Sequence, residues 1–295
     1  MLLPGLPAAV RIRDVGPRDG LQSEAPLPVS LRVALVRRLA AAGVREIEVG
    51  AFVSPKAVPA MAGAAEVLAE LDDLDGVERV ALVPNLRGAR DAVAAGADAL
   101  TCTISASPEY NRRNVGMTID ESLAQIEQIG ALAAPSLDVV ISCAFGSPYE
   151  GEIAVAEVAR ISAAARARGA TRITLADTTG MGTPRGVAEL LDTLGPAVGM
   201  HLHETRNTAL VCAYEALRRG VTRFDSALGG LGGSPFATGA AGNLATEDLV
   251  NLLDDLGVAS GISLPRLLTA SRELEAAVGR PLPSAVARSG PRLAA

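Results

Sequence analysis

Short runs rich in β-branched and aliphatic residues recur along the chain. Each is followed by a stretch whose apolar positions fall at helical spacing. The strand runs are Val10–Val15, Glu46–Val49, Arg79–Val83, Ala99–Ile104, Asp138–Ala144, Arg172–Ala176, Val198–His203 and Arg223–Ala227. Between them lie Ala-, Leu- and Arg-rich helical segments such as Ser30–Ala42, Ile119–Ala133, Ala154–Arg168 and Thr208–Arg219. Several helical runs stop at a glycine just before the next strand, at Gly43, Gly96, Gly169 and Gly220. That is the expected C-terminal signal, because the residue past a helix end often needs a left-handed backbone. Repeated strand–helix units predict a parallel sheet. Eight of them in roughly 250 residues predict a (β/α)8 TIM barrel with extra C-terminal helices. An open doubly wound sheet is the competing architecture, but the turn Val15-Gly-Pro-Arg-Asp-Gly20 lacks its GxGxxG signature. One domain over residues 1–295 is expected, with the barrel at about 10–257, a helical extension at about 258–280 and a loose tail at 281–295.

Composition narrows function more than fold. A net charge of −6 and 2% aromatics leave no basic stripe for phosphates and few rings for base stacking, which disfavours nucleic acid as a partner. No apolar run reaches the length of a membrane span. Residues 1–9 are too short and uncharged for a signal or transit peptide. Cys102, Cys143 and Cys212 are scattered and odd in number, so they read as reduced core thiols in a cytoplasmic protein. Lys56 is the sole lysine, so Schiff-base chemistry would fall to it or to the N-terminus. The expected partners are a small-molecule substrate and a second copy of the chain in a dimer.

The chain's only two histidines, His201 and His203, sit two apart at the end of the seventh strand run. Residues i and i+2 of a strand share a face, so both imidazoles can meet one metal ion. The alternative is two unrelated strand polar residues bonded to neighbours. A barrel also demands that chemistry gather just after its strands. Arg18 and Asp19 follow the first run, Glu48 ends the second, Asp177 closes the sixth and Asn243 follows the eighth across a Gly-rich loop. Asp19, His201, His203 and Asn243 offer a mixed oxygen and nitrogen set for a divalent metal. Oxygen donors favour Mg or Mn, while the imidazoles also admit Zn, Fe or Co.

Longer motifs carry a resemblance. They are Asp14-Val-Gly-Pro-Arg-Asp-Gly-Leu-Gln-Ser-Glu24, Phe52-Val-Ser-Pro-Lys56, Ser142-Cys-Ala-Phe-Gly-Ser-Pro-Tyr-Glu-Gly151, Asp177-Thr-Thr-Gly-Met-Gly-Thr-Pro184, His201-Leu-His-Glu-Thr205 and Gly229-Gly-Leu-Gly-Gly-Ser-Pro-Phe236, continuing through Gly242-Asn-Leu-Ala-Thr-Glu-Asp248. From about residue 10 to 275 the chain resembles the hydroxymethylglutaryl-CoA lyases, among the metal-dependent aldolase and condensing barrels.

The resemblance implies retro-aldol cleavage of a 3-hydroxy-3-methylglutaryl thioester, or of a related 3-hydroxyacyl-CoA, to acetyl-CoA and a 3-oxo acid. It assigns the metal to Asp19, His201, His203 and Asn243, and the enolate oxygen to Arg18. It places Glu48 and Asp177 as acid/base or supporting carboxylates, with Asp177 or a water on the metal as base. It implies CoA binding, for whose phosphates Lys56 and arginines near the barrel rim, such as Arg112 and Arg113, are the candidate partners. One departure stands out: Ser234 occupies the place of the family's proton-transfer cysteine. Glu204 stands where the family usually has Asp, and Arg206-Asn207 replaces a stretch richer in glycine. The alternative is therefore an aldolase or condensing enzyme acting on a different acyl-CoA or hydroxy acid.

Overall fold

The structure, a computed structural model, describes residues 3–132, 136–233 and 242–291. Eight parallel strands close into a barrel: β1 Arg11–Asp14, β2 Glu46–Ala51, β3 Glu78–Leu82, β4 Ala99–Ser105, β5 Ser136–Ser142, β6 Arg172–Ala176, β7 Gly199–His201 and β8 Arg223–Ser226. Closure comes from β1 pairing with β8 over Arg11–Asp14 and Arg223–Ser226. The expected strand runs match these to within two residues. The one instructive difference is at Val198–His203. The ladder ends at His201, and the chain then turns to pair His203 with Asn243 in an isolated antiparallel bridge.

The helices form the outer layer. In chain order they are α1 Val29–Ala42, α2 Ala64–Ala69, α3 Leu86–Ala94, α4 Pro108–Val115, α5 Ile119–Gly130, α6 Val155–Ala167, α7 Pro184–Leu194, α8 Ala209–Arg218, α9 Thr246–Leu256, α10 Leu264–Val278 and α11 Ala285–Ser289. Their apolar stripes pack on the outward faces of the strands, where Val36, Leu39, Ile161, Leu190 and Leu217 meet Ile47, Leu100, Ile141 and Ile173 in one buried cluster. The helix expected at Ile119–Ala133 stops at Gly130, whose missing side chain lets the turn lie on Arg168: a Cβ there would sit 2.5 Å from its carbonyl oxygen.

Inside the lower barrel the filling is ionic rather than aliphatic. Arg13, Glu46, Thr101, Asp138, Thr174 and Asp225 are all buried. They bond one another and the half-buried Arg172 and Arg223.

The C-terminal extension α10 docks on α1, with Arg266 Nη1 donating to the Ala41 carbonyl at 2.6 Å and Arg38 paired to Glu273 at 2.9 Å. The segment expected as a loose tail is instead held as far as its short helix. Leu282 is buried, Ser284 N–H donates to the Gly229 carbonyl at 3.0 Å, and Asp248 accepts from Ser284 Oγ and the Ala285 and Val286 amides at 2.7, 3.1 and 2.9 Å. Buried Leu282 and the multiply bonded Asp248 carboxylate supply the anchor that composition did not show.

Candidate active site and metal centre

The first functional pair is positioned by a wide helical turn. After β1 the amides of Arg18, Asp19 and Gly20 all approach the Val15 carbonyl, at 3.1, 2.7 and 3.2 Å, and Leu21 N–H closes the turn on Gly16 at 3.0 Å. Asp14 caps it from below by accepting from Gly16 N–H at 2.8 Å. The turn aims Arg18 and Asp19 across the barrel mouth. Arg18 Nε donates to Glu48 Oε2 at 2.5 Å and Nη1 donates to Asp19 Oδ1 at 2.6 Å. Burial alone would lower the Arg18 pKa, but Glu48 and Asp19 raise it above the ordinary value.

Asp19 meets the histidines over the same mouth. The ligand atoms of Asp19, His201 and His203 all lie within 4.8 Å of one another, and all three residues are buried. The two Nε2 atoms approach to 3.0 Å. Two facing imidazole nitrogens and a carboxylate oxygen form a donor set suited to a divalent cation. Burial would raise the Asp19 pKa, yet Arg18 and then the histidines bring it below the ordinary value, so the carboxylate is ionised. Asn243 completes the wall. Its Nδ2 donates to Asp19 Oδ2 at 2.6 Å and to the Leu231 carbonyl at 2.9 Å, while its Oδ1 is buried with no hydrogen-bond partner among the described residues. A buried amide oxygen without a donor is the polar atom a cation would satisfy. Gly232 permits this closeness: a Cβ there would lie 2.5 Å from Asn243 Nδ2 and 3.2 Å from Asp19 Oδ2.

The cluster opens into a cavity of about 330 Å³. Arg18, Asp19, Gln22, His201 and His203 form its polar side, and Val53, Val58, Leu82, Val140 and Tyr110 form much of its apolar side. Glu48 and Asp177, expected as catalytic carboxylates, do not line it. Glu48 lies behind Arg18, with Oε1 buried and without a hydrogen-bond partner among the described residues. Asp177 turns into its own loop and accepts from Met181 N–H at 2.7 Å. Burial pushes the Asp177 carboxyl up to about 6 against the pull of the Gly182 and Met181 amides. Arg206 fastens that loop by donating to the Thr179 and Gly180 carbonyls at 3.0 and 2.8 Å, and Asn207 beside it takes a left-handed φ of 55°. Lys56 is exposed, and Arg112 and Arg113 are paired with Glu109 at 2.6 and 2.7 Å. Ser234 lies outside the described residues; its neighbour Gly233 lines the cavity.

The sequence reading missed three residues. Gln22 donates to Asp19 Oδ1 at 2.8 Å, Asp225 lies 3.2 Å from His201 Nδ1, and Arg13 grips Asp225. Arg13 and Asp225 each sit inside a predicted strand run, and a charged residue within a run that must close a barrel was the available signal; Gln22 carried none.

Comparison with known proteins settles the family. The HMGL-like family model matches residues 9–274. The chain belongs to the HMGL-like family. Within it, this HMGL-like chain is 43% identical over 302 residues to (R)-citramalyl-CoA lyase of Chloroflexus aurantiacus, covering 96% of this chain and 95% of that protein. It is 40% identical over 292 residues to mitochondrial hydroxymethylglutaryl-CoA lyase of Bos taurus, covering 96% and 90%. A solved HMG-CoA lyase from Acinetobacter baumannii, in complex with coenzyme A and 3-methylmalate, matches with a TM-score of 0.93 at 37% identity, over 100% of this chain and 99% of that one. No helix among the described residues is long and apolar enough to cross a membrane.

Proposed function

We propose that this HMGL-like protein is a divalent-metal-dependent carbon–carbon lyase. Its substrate is 3-hydroxy-3-methylglutaryl-CoA or a related 3-hydroxy-3-methylacyl-CoA, cleaved by a retro-aldol reaction to acetyl-CoA and an oxo acid. The observation that carries this reading is the convergence of Asp19, His201, His203 and Asn243 beside Arg18 on one cavity. Mg or Mn, held by those four residues, would lower the cost of charge on the substrate's tertiary hydroxyl oxygen.

The protein's own groups account for the rest of the demand. The C2–C3 bond breaks as the hydroxyl proton leaves. The bonding pair moves onto the thioester as an enolate, which takes a proton at C2 to become acetyl-CoA. The enolate oxygen needs a fixed donor in a dry site. Arg18 meets that need because two of its N–H groups are spent on Glu48 and Asp19, which lock the guanidinium beside the cavity it lines, and no hydrogen bond among the described residues takes up the others. The apolar side formed by Val53, Leu82 and Val140 limits water around the reacting carbon. Ser234, following Gly233 at the cavity, takes the family's proton-transfer position with a far weaker acid than a thiol.

The two relatives named for different acids share the 3-hydroxy-3-methyl thioester unit, so that unit is the substrate class. The purified protein with Mg²⁺ or Mn²⁺ is to be given 3-hydroxy-3-methylglutaryl-CoA and citramalyl-CoA, with products read by mass spectrometry. Acetyl-CoA with acetoacetate or with pyruvate assigns the acid. No acetyl-CoA from either, with condensation of acetyl-CoA and a small 2-oxo acid instead, moves the protein to the synthase chemistry.

A further inference from the structure

Three residues of one lateral row link the barrel interior to the metal cluster. Arg13 on β1 is in register with Asp225 on β8, and Asp225 is in register with His201 on β7. Arg13 Nε donates to Asp225 Oδ1 at 2.9 Å and Nη2 to Oδ2 at 2.7 Å, a two-point grip on a buried carboxylate. That same Oδ2 lies 3.2 Å from His201 Nδ1. The side chains of Arg13 and Asp225 are only 3% and 6% exposed, so neither can trade the other for water. Arg13 is tied in turn to Thr101 at 3.2 Å and Asp138 at 3.0 Å, which fixes its plane.

We propose that Arg13 is a positioning residue for His201: by holding both oxygens of Asp225 it makes that carboxylate accept from Nδ1–H, and so leaves the Nε2 lone pair facing Asp19 and His203. The inference rests on the metal reading only for its consequence. A neutral imidazole carries one N–H, and the partner of one nitrogen decides what the other can do. A carboxylate that could swing would no longer dictate which nitrogen holds the proton. A two-point guanidinium grip removes that freedom, where a lysine would leave it. Outer partners of this kind commonly carry about 10- to 100-fold of metal affinity. Arg13 acts one bond further out, so the lower edge is expected.

With only two histidines in the chain, ¹⁵N-histidine labelling gives an assignable spectrum of the metal-free protein. Wild type is expected to show His201 protonated at Nδ1, and Arg13→Met a mixture with the Nε2–H form. Mn²⁺ titration followed by electron paramagnetic resonance is expected to show about tenfold weaker binding in Arg13→Met and a smaller loss in Arg13→Lys. If stranding Asp225 and Asp138 prevents Arg13→Met from folding, Arg13→Lys decides by the same two readings. An unchanged His201 tautomer, or Mn²⁺ affinity within twofold of wild type, in a folded variant overturns the proposal. A wild type that shows the Nδ1–H tautomer and its loss on substitution, but binds no Mn²⁺, keeps this inference and defeats the metal reading instead.

Discussion

Arg18→Gln separates what this arginine does for the fold from what it does for the reaction. The side chain is 10% exposed and faces Glu48, which is fully buried, at 2.5 Å and Asp19 at 2.6 Å. Removing one member of a buried ion pair typically costs about 3–5 kcal/mol, because the other charge is stranded. Arg18→Gln is therefore expected to lose stability on that order in denaturant unfolding. Arg18→Gln/Glu48→Gln is expected to recover much of the loss, since the stranded carboxylate is gone. The kinetic effect is distinct. Losing one donor at a developing oxyanion costs roughly 100- to 1,000-fold in kcat, about 3–4 kcal/mol of barrier. The assay is steady-state release of acetyl-CoA by metal-loaded Arg18→Gln, at a temperature where the variant is fully folded. The expected result is a kcat loss of that size with a small change in KM. A change confined to KM refutes the enolate role and assigns Arg18 to ground-state binding. A double variant no more stable than Arg18→Gln refutes the argument from the buried pair.

Three further outcomes are expected. Asn243→Ala removes the amide that bridges Asp19 and Leu231 and should weaken Mn²⁺ binding by roughly tenfold or more in calorimetric titration; unchanged affinity would take Asn243 out of the ligand set. Burial pushes the Glu247 carboxyl up to about 7, while its unfolded value lies near 4.5, so the unfolded chain sheds its proton first and stability falls as pH rises between those values. Glu247→Gln should flatten that slope, a relative gain on the order of 3 kcal/mol between pH 4 and pH 8 in paired denaturant titrations, and parallel profiles would refute it. Ser234→Cys should raise turnover of 3-hydroxy-3-methylglutaryl-CoA about tenfold or more if proton transfer limits the enzyme; no rise in a folded, metal-loaded variant means that the acid is not what limits this substrate.

The barrel was readable because each apolar run is short, several helical runs end at a glycine, and the two periods alternate without a break. The convergence of the candidate metal residues was readable because strand spacing puts His201 and His203 on one face, and because Asp19 and Asn243 follow strands. Asp225 and Arg13 were not. In a single strand, Arg13 between Ile12 and Asp14 reads as a solvent-facing charge. Only closure of the sheet brings a carboxylate from β8 beside it and excludes water from both. The roles of Glu48 and Asp177 were also beyond a linear reading. Glu48 within β2 and Asp177 just after β6 predicted the right end of the barrel, but whether each carboxylate faces the cavity depends on what closes over it: Arg18 for Glu48, its own loop for Asp177. The Asp177 loop gives Oδ1 the Met181 amide, while Oδ2 is buried with no hydrogen-bond partner among the described residues.

The β1–β8 seam has a consequence for the order in which this protein assembles. Asp19 comes from the start of the chain, the histidines from β7 and the turn just after it, and Asn243 from beyond β8, 224 residues away from Asp19. These pieces lie on the two sides of the β1–β8 seam. A partly folded chain with β1 still apart from β8 contains all four residues and no site. Such long-range contacts form late, since their loop entropy must be met before they stabilise anything. A divalent ion that binds only the closed ring then acts as its clasp: it slows reopening of that seam more than it hastens folding, and a chelator shortens the lifetime of the closed form.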